Sequence, residues 1–261
     1  MQPGLGPIAT DYTTLAEDLA SHGYVVVAST PTYSASVVVF PDGRVARSSA
    51  SGTIADDAAP DAAKIILDRL LTVWAGDNVF ITNQLEKLNR AGPSGRFTGK
   101  LDLQAIGVWG HSFGGASAAQ TCRLDNRCKA GADLDGTLYG DVVRVGLHQP
   151  FMFIWSEPKD QTDTRWQQSM RDAQQLYDRL RNGGYQLTIR GTAHFNFSDY
   201  AVLYEPIVKL IGGLGPIDGQ RGLQITSDYL NAFFAKYLKG ADSPLLTGPS
   251  PEYPEVQFRS R

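Results

Sequence analysis

Residues 108–115 read VWGHSFGG, and the reading of this octapeptide decides the fold. It closes the apolar run QAIGVW (104–109) and opens the small-residue stretch GGASAAQ (114–120). Strand, sharp turn, helix is the setting of the G-x-S-x-G nucleophile elbow, which GHSFG matches. Such a turn forces its serine into a strained backbone conformation, and flanking glycines remove Cβ atoms that would clash. Ser112 then stands at a helix N-terminus, where the dipole favours negative charge. The competing reading is a structural glycine turn without chemistry.

The surroundings alternate between strand and helix patterns. Upstream, Thr10-Asp11 is expected to cap a helix with Leu15, Ala16 and Leu19 on one face, ending near Gly23. YVVVAS (24–29) has the β-branched composition of a strand buried on both faces of a parallel sheet. SVVVFPDGRVARS (36–48) reads as a hairpin turning at Pro41-Asp42-Gly43. Residues 56–74, with Ile65, Ile66, Leu70 and Leu71 as an apolar stripe, and residues 80–90 read as two helices. The glycine/proline loop AGPSGRFTG (91–99) follows.

Downstream, KAGADL (129–134), FMFIW (151–155) and YQLTIR (185–190) read as strands. Residues 164–182 form an amphipathic helix with Met170, Leu176, Tyr177 and Leu180 inward. A last helix spans 226–240, capped by Ser227 or Asp228. The alternation predicts one α/β domain over 1–261, with a mostly parallel sheet covered by helices on both faces.

Composition narrows the partners. The chain has 261 residues, 42% hydrophobic and 20% charged, with a formal net charge of −3. That is an ordinary globular balance. No basic stripe stands out, so nucleic acid is not an expected partner. The longest apolar runs are strand-length, far short of a membrane span. Cys122 and Cys128 in CRLDNRC are too few for a zinc site. They flank a short polar turn and suit a disulfide in an exported protein, against the alternative of two buried thiols.

A serine needs a base to take its proton and an acid to orient that base. Of the four histidines, His111 lies inside the elbow and points elsewhere, and His22 ends the first helix. His148 sits in a loop before a strand. His194, in GTAHFNFSDY after the last parallel strand, occupies the base position in the chain order serine, acid, histidine. Spacing leaves the acid open between Asp135, after KAGADL, and Glu157 or Asp160, after FMFIW. Asp133 falls within its strand and faces away from Asp135 if alternation holds.

Taken in order, several stretches resemble one family. They are PGLGP (3–7), DLASHGYVVVAS (18–29), YSASVVVF (33–40), GHSFGGA (110–116), KAGADLDG (129–136), QPFMFIWSE (149–157) and HFNFSD (194–199). The set resembles the α/β-hydrolase-fold platelet-activating factor acetylhydrolases, the plasma and type II group with its bacterial and fungal relatives. The resemblance implies the triad Ser112, Asp135 and His194. It also implies an oxyanion hole from the backbone N–H groups of Leu5 and Phe113, with no cofactor and no metal. A histidine often precedes the first glycine of the family's oxyanion loop, and here that residue is Pro3.

The implied activity is hydrolysis of short-chain acyl esters through an acyl-enzyme, including acetylated or oxidised phospholipids. Small-molecule or lipid ester substrates and weak association with a lipid surface go with it. Tyr33, Phe113, Trp155, Phe195 and Phe197 are candidates for an apolar pocket. The alternatives are a cutinase-like polyester hydrolase or general carboxylesterase, and a non-catalytic hydrolase-like binding protein. In this fold a strand runs straight into the oxyanion loop, whereas MQPGLGPIAT opens at that loop. It has neither a basic n-region nor a long apolar h-region. The N-terminal strands are therefore expected to lie upstream of Met1.

Overall fold

The computed structural model describes residues 1–55 and 58–261. Two short strands, β1 (Val37–Val39) and β2 (Val45–Arg47), pair antiparallel as the hairpin around Pro41-Asp42-Gly43. The main sheet holds β3 (Ile106–His111), β4 (Cys128–Leu134), β5 (Phe151–Ser156), β6 (Gly184–Ile189) and β7 (Val256–Ser260), in that spatial order. β3 to β6 are parallel, and β7 closes the edge antiparallel to β6.

Alternation along the strands sorts side chains to two cores. Trp109, Met152, Ile154, Leu187 and Ile189 face one side. There they pack with α1 (Thr13–Ser21) and α8 (Gly219–Lys239). Val108, Phe151, Phe153 and Trp155 face the other, against α3 (Phe113–Leu124), the short α4 (Val142–Val145) and α5 (Thr164–Tyr177). Burial on both faces is why these strands read as near-continuous apolar runs. The Cys122–Cys128 disulfide ties the last turn of α3 to the start of β4, with Cα atoms 5.0 Å apart.

Several expectations need correction. YVVVAS (24–29) forms no ladder. Among the described residues its main-chain partner on the β3 side is Met1, whose α-amino group donates to Val27 O at 2.8 Å and whose carbonyl accepts from Ser29 N–H at 3.1 Å. Gln2 bridges onward to β3, donating to Trp109 O and accepting from His111. Beyond Met1, a groove of about 330 Å³ lined by Tyr24 to Val27 and Ile106 to Trp109 separates the segment from β3. An extended chain becomes a strand only through a paired neighbour.

The helices expected at 56–74 and 80–90 are one, α2 (Pro60–Ala91). It runs through Gly76, whose cost of about 1 kcal/mol is borne by the packing of Leu67, Leu70, Leu71 and Trp74. Ile65 is 71% exposed rather than part of that stripe. Asp56 and Asp57, the first two positions of the expected helix, lie outside the described residues.

Thr10 and Asp11 sit in a 3-10 turn, Ala9–Tyr12, ahead of α1. The Thr14 N–H of α1 instead donates to the Asp199 carboxylate at 3.2 and 3.3 Å. α8 begins well before 226 and is capped by Asp218, which accepts from Arg221 N–H at 2.9 Å. Ser227 is buried inside it.

Candidate active site

The carboxyl ends of β3, β4, β5 and β6 converge on a cavity of about 1230 Å³. Crevices at this end of a parallel sheet are where open α/β folds bind ligands. Ser112 follows β3 directly, with φ 55° and ψ −121°. Its N–H donates to Leu134 O at 2.8 Å, which pins the turn to the end of β4. α3 can leave this close to the N-terminal loop because position 114 is glycine. A Cβ there would lie 2.2 Å from Gln2 O and 2.4 Å from Pro3 O.

Asp135 follows β4 in a second left-handed turn, φ 55°. Its Oδ2 receives the His194 Nδ1 hydrogen bond at 2.7 Å. Ser156, at the end of β5, supplies its N–H to Oδ1 at 2.7 Å and its hydroxyl to Oδ2 at 3.0 Å. Burial opposes the charge on Asp135, but the His194 and Ser156 donors outweigh it and hold the carboxyl below the usual range. Ser112, Asp135 and His194 all line the one cavity.

Glu157 and Asp160 find other partners. Glu157 lines the cavity but accepts from Gly191 N–H at 2.8 Å. Asp160 accepts from the N–H and hydroxyl of Thr162.

Leu5 and Phe113 lie at the same cavity. Among the described residues neither backbone N–H donates to a protein acceptor, so both remain available. The loop carrying Leu5 is fixed by Gly6 N–H to Ser34 O at 3.0 Å and Ser36 N–H to Gly6 O at 2.7 Å. Gly4 packs against the nucleophile turn, where a Cβ would stand 3.0 Å from Ser112 Cβ. No group of three or more His, Cys, Asp or Glu side chains among the described residues is placed to hold a metal ion.

Of the five aromatic candidates, Phe113 and Trp155 line the cavity and Tyr33, Phe195 and Phe197 do not. Tyr33 is 52% exposed, Phe197 is buried in the core, and Phe195 packs edge-on to His194. Tyr139 and Trp166, which sequence reasoning did not single out, complete the aromatic lining. His111, set aside as pointing elsewhere, is fully buried against the His194 ring, with centroids 4.5 Å apart. A histidine inside a buried elbow was the available signal. Its partners, Tyr12 and His194, lie too far along the chain for any local pattern to reveal.

Comparison with known proteins agrees with this architecture. The family model described as "Platelet-activating factor acetylhydrolase, isoform II" matches residues 62–243. A "Probable 1-alkyl-2-acetylglycerophosphocholine esterase" from Arthroderma benhamiae is 28% identical, over 98% of this chain and 64% of that protein. The "Platelet-activating factor acetylhydrolase" of Bos taurus is 29% identical, over 90% of this chain and 55% of its own length. Among solved structures, a ferulic acid esterase from Streptomyces cinnamoneus superposes with a TM-score of 0.80 at 30% identity, covering 98% of this chain and 72% of its own. The chain thus spans 55 to 64% of these two curated relatives. The matched region runs from α2 through the elbow and the Asp135 and His194 loops to the end of α8, and over it the chain belongs to the platelet-activating factor acetylhydrolase isoform II family.

Proposed function

We propose that this chain is a serine carboxylic-ester hydrolase acting on short-chain acyl esters, among them phospholipids with a short sn-2 chain. The observation that carries the reading is the 2.7 Å His194–Asp135 hydrogen bond in the cavity that also holds the strained Ser112. Asp135 fixes the proton on Nδ1 of His194, leaving Nε2 to take the Ser112 proton as Oγ attacks the ester carbonyl. The Leu5 and Phe113 N–H groups bind the developing oxyanion. His194 then returns its proton to the leaving alcohol, and water hydrolyses the acyl-enzyme with the same base. The family match and the esterase names of the relatives support the reaction class.

Two finer readings accompany it. The disulfide suits an oxidising, extracytoplasmic compartment. Lipid esters suit a surface beside the cavity. The helices α6 (Tyr200–Leu203) and α7 (Glu205–Leu210) expose Leu203, Ile207 and Leu210, and Ile211 just after α7 is exposed too. They lead directly into Gly212 at the cavity wall. Large apolar side chains exposed along one short segment fit a lipid surface.

The test is labelling by a fluorophosphonate probe, with Ser112→Ala as control, followed by competing substrates. Hydrolysis of a short sn-2 phospholipid and of p-nitrophenyl acetate is expected to exceed that of a feruloyl ester or a polyester film. Absence of labelling in folded protein would favour a non-catalytic binding role. A reversed substrate order would move the reading to the feruloyl esterase or cutinase class.

A further inference from the structure

We propose that Tyr12 and His111 are positioning residues that lock the oxyanion loop to the loop carrying His194. The inference rests on the ester-hydrolase reading above and adds two residues to it. Tyr12 ends the 3-10 turn before α1 and is fully buried. Its hydroxyl accepts from Gly4 N–H at 3.3 Å and lies 2.7 Å from His111 Nδ1. The other nitrogen of His111, Nε2, lies 2.8 Å from the main-chain carbonyl of His194. Three contacts thus run from the residue beside Leu5 to the residue that holds the base.

Their directions follow from the two ends. A backbone N–H only donates, so the Tyr12 oxygen accepts from Gly4 and its own proton is left to give. A carbonyl only accepts, so Nε2 of His111 carries hydrogen and Nδ1 receives the Tyr12 proton. The relay therefore admits one tautomer of a neutral His111. Burial, and next the adjacent His194 ring, push the His111 pKa down to about 3, which keeps it neutral. The titratable groups facing it are Tyr12, His194 and Asp135. Neutrality matters because His194 becomes cationic in each half-reaction, with its centroid 4.5 Å from the His111 ring.

The mechanical consequence is specific. Gly4 abuts Ser112, and the Leu5 N–H belongs to the next peptide unit. Fixing Gly4 N–H therefore anchors the peptide unit adjacent to the oxyanion donor. Fixing the His194 carbonyl sets where its imidazole starts. The donor loop and the base loop are thereby joined by one buried hydrogen-bonded chain, beyond the Gly6–Ser34 and Asp135–His194 bonds that hold each of them separately. A displacement of about 1 Å in such geometry can cost roughly 100-fold in rate.

The experiment uses Tyr12→Phe and His111→Asn, with p-nitrophenyl acetate as substrate. Competent sites are counted by fluorophosphonate titration carried to completion. Tyr12→Phe keeps the ring and removes the hydroxyl. His111→Asn retains an acceptor for Tyr12 and loses the donor to His194. Each is expected to lower kcat per titrated site by about 10- to 100-fold with KM changed less than about threefold, the double variant falling no further than the worse single one. A merely structural role would lower Tm or the number of titrated sites and leave kcat per site intact. Values within twofold of wild type for either variant overturn the proposal, while an inactive Ser112→Ala in the same assay keeps the hydrolase reading standing. Nitrogen NMR of the wild-type protein gives a test that needs no variant to fold. His111 is expected to hold its proton on Nε2 and to stay neutral from pH 5 to 9. A proton on Nδ1, or a titration in that range, overturns the relay whether or not the ester assay shows activity.

Discussion

Two adjacent turns do related jobs with the same backbone device and very different sequence signals. Ser112 after β3 and Asp135 after β4 both sit at φ 55°. Each donates its N–H at 2.8 Å to the last residues of the next strand, Ser112 to Leu134 and Asp135 to Ile154. The serine turn is announced by Gly110 and Gly114, which lie hard against the N-terminal loop, and by Gly115, which lies against Asp133 of β4. The aspartate turn has a single glycine, Gly136, at a comparably tight place, where a Cβ would fall 2.3 Å from Asp133 Oδ1 and 2.4 Å from Ser112 O. Motif strength therefore measures how much backbone crowds a turn, not how much chemistry hangs on it.

Removing the reacting groups breaks the comparison most sharply. Ser112→Ala is expected to lower kcat by about 10⁶-fold, measured with a short-chain ester. Asp135→Asn should cost about 10⁴-fold by releasing the wrong His194 tautomer. Glu157→Gln and Asp160→Asn should stay within a few-fold of wild type, since their carboxylates serve Gly191 and Thr162. A dead Glu157→Gln with an active Asp135→Asn would transfer the acid role to the end of β5.

Crowding is probed next. Gly114→Ala and Gly136→Ala each push a methyl into a fixed acceptor, Gln2 O in one case and Ser112 O in the other. Both are expected to destabilise the fold by about 1–3 kcal/mol, read as a lower denaturation midpoint. If Gly136→Ala were neutral while Gly114→Ala was not, the two turns would not be equally tight, and the weaker motif would simply mark a looser turn.

The same physics separates what was legible in the chain from what was not. β4 and β5 were readable to within a residue or two because both faces are buried and their runs are largely apolar, and β6 because its apolar residues alternate with Gln186 and Thr188. YVVVAS is rich in β-branched residues, but it forms no ladder among the described residues, because pairing depends on a neighbouring strand and not on composition. α2 reads from sequence as two helices, 56–74 and 80–90, because no local pattern shows the packing of Trp74 and Leu71 beside Gly76 in the single helix. Candidates for the nucleophile, the base and the acid could be named from spacing. The choice of Asp135 came from family resemblance, and its 2.7 Å contact with His194 spans 59 positions. Tyr12 and His111 are 99 positions apart, and no periodicity links them.

The smallest effect concerns two carboxyls two residues apart. Asp135 is held below the ordinary carboxylate value. Asp133, with Oδ1 receiving Gly136 N–H at 2.9 Å, is raised well above it, first by burial and then by the charge on Asp135. The signs differ accordingly. Asp135 contributes stability above the ordinary value of about 4, and this is lost as pH falls through its lower folded value. Between about 4 and the raised folded value of Asp133, the unfolded chain gives up a proton that the folded chain keeps, so this residue erodes stability as pH rises. Asp133→Asn keeps the acceptor for Gly136 and removes the proton. The Tm of the variant minus that of wild type is therefore expected to increase from pH 4 to pH 8. For Asp135→Asn the Tm deficit should instead be largest near neutrality and shrink below pH 4. A flat or falling difference for Asp133→Asn would mean that Asp133 is ionised beneath the elbow. The second turn would then hold two negative charges where the burial of Asp133 and its single Gly136 donor call for one.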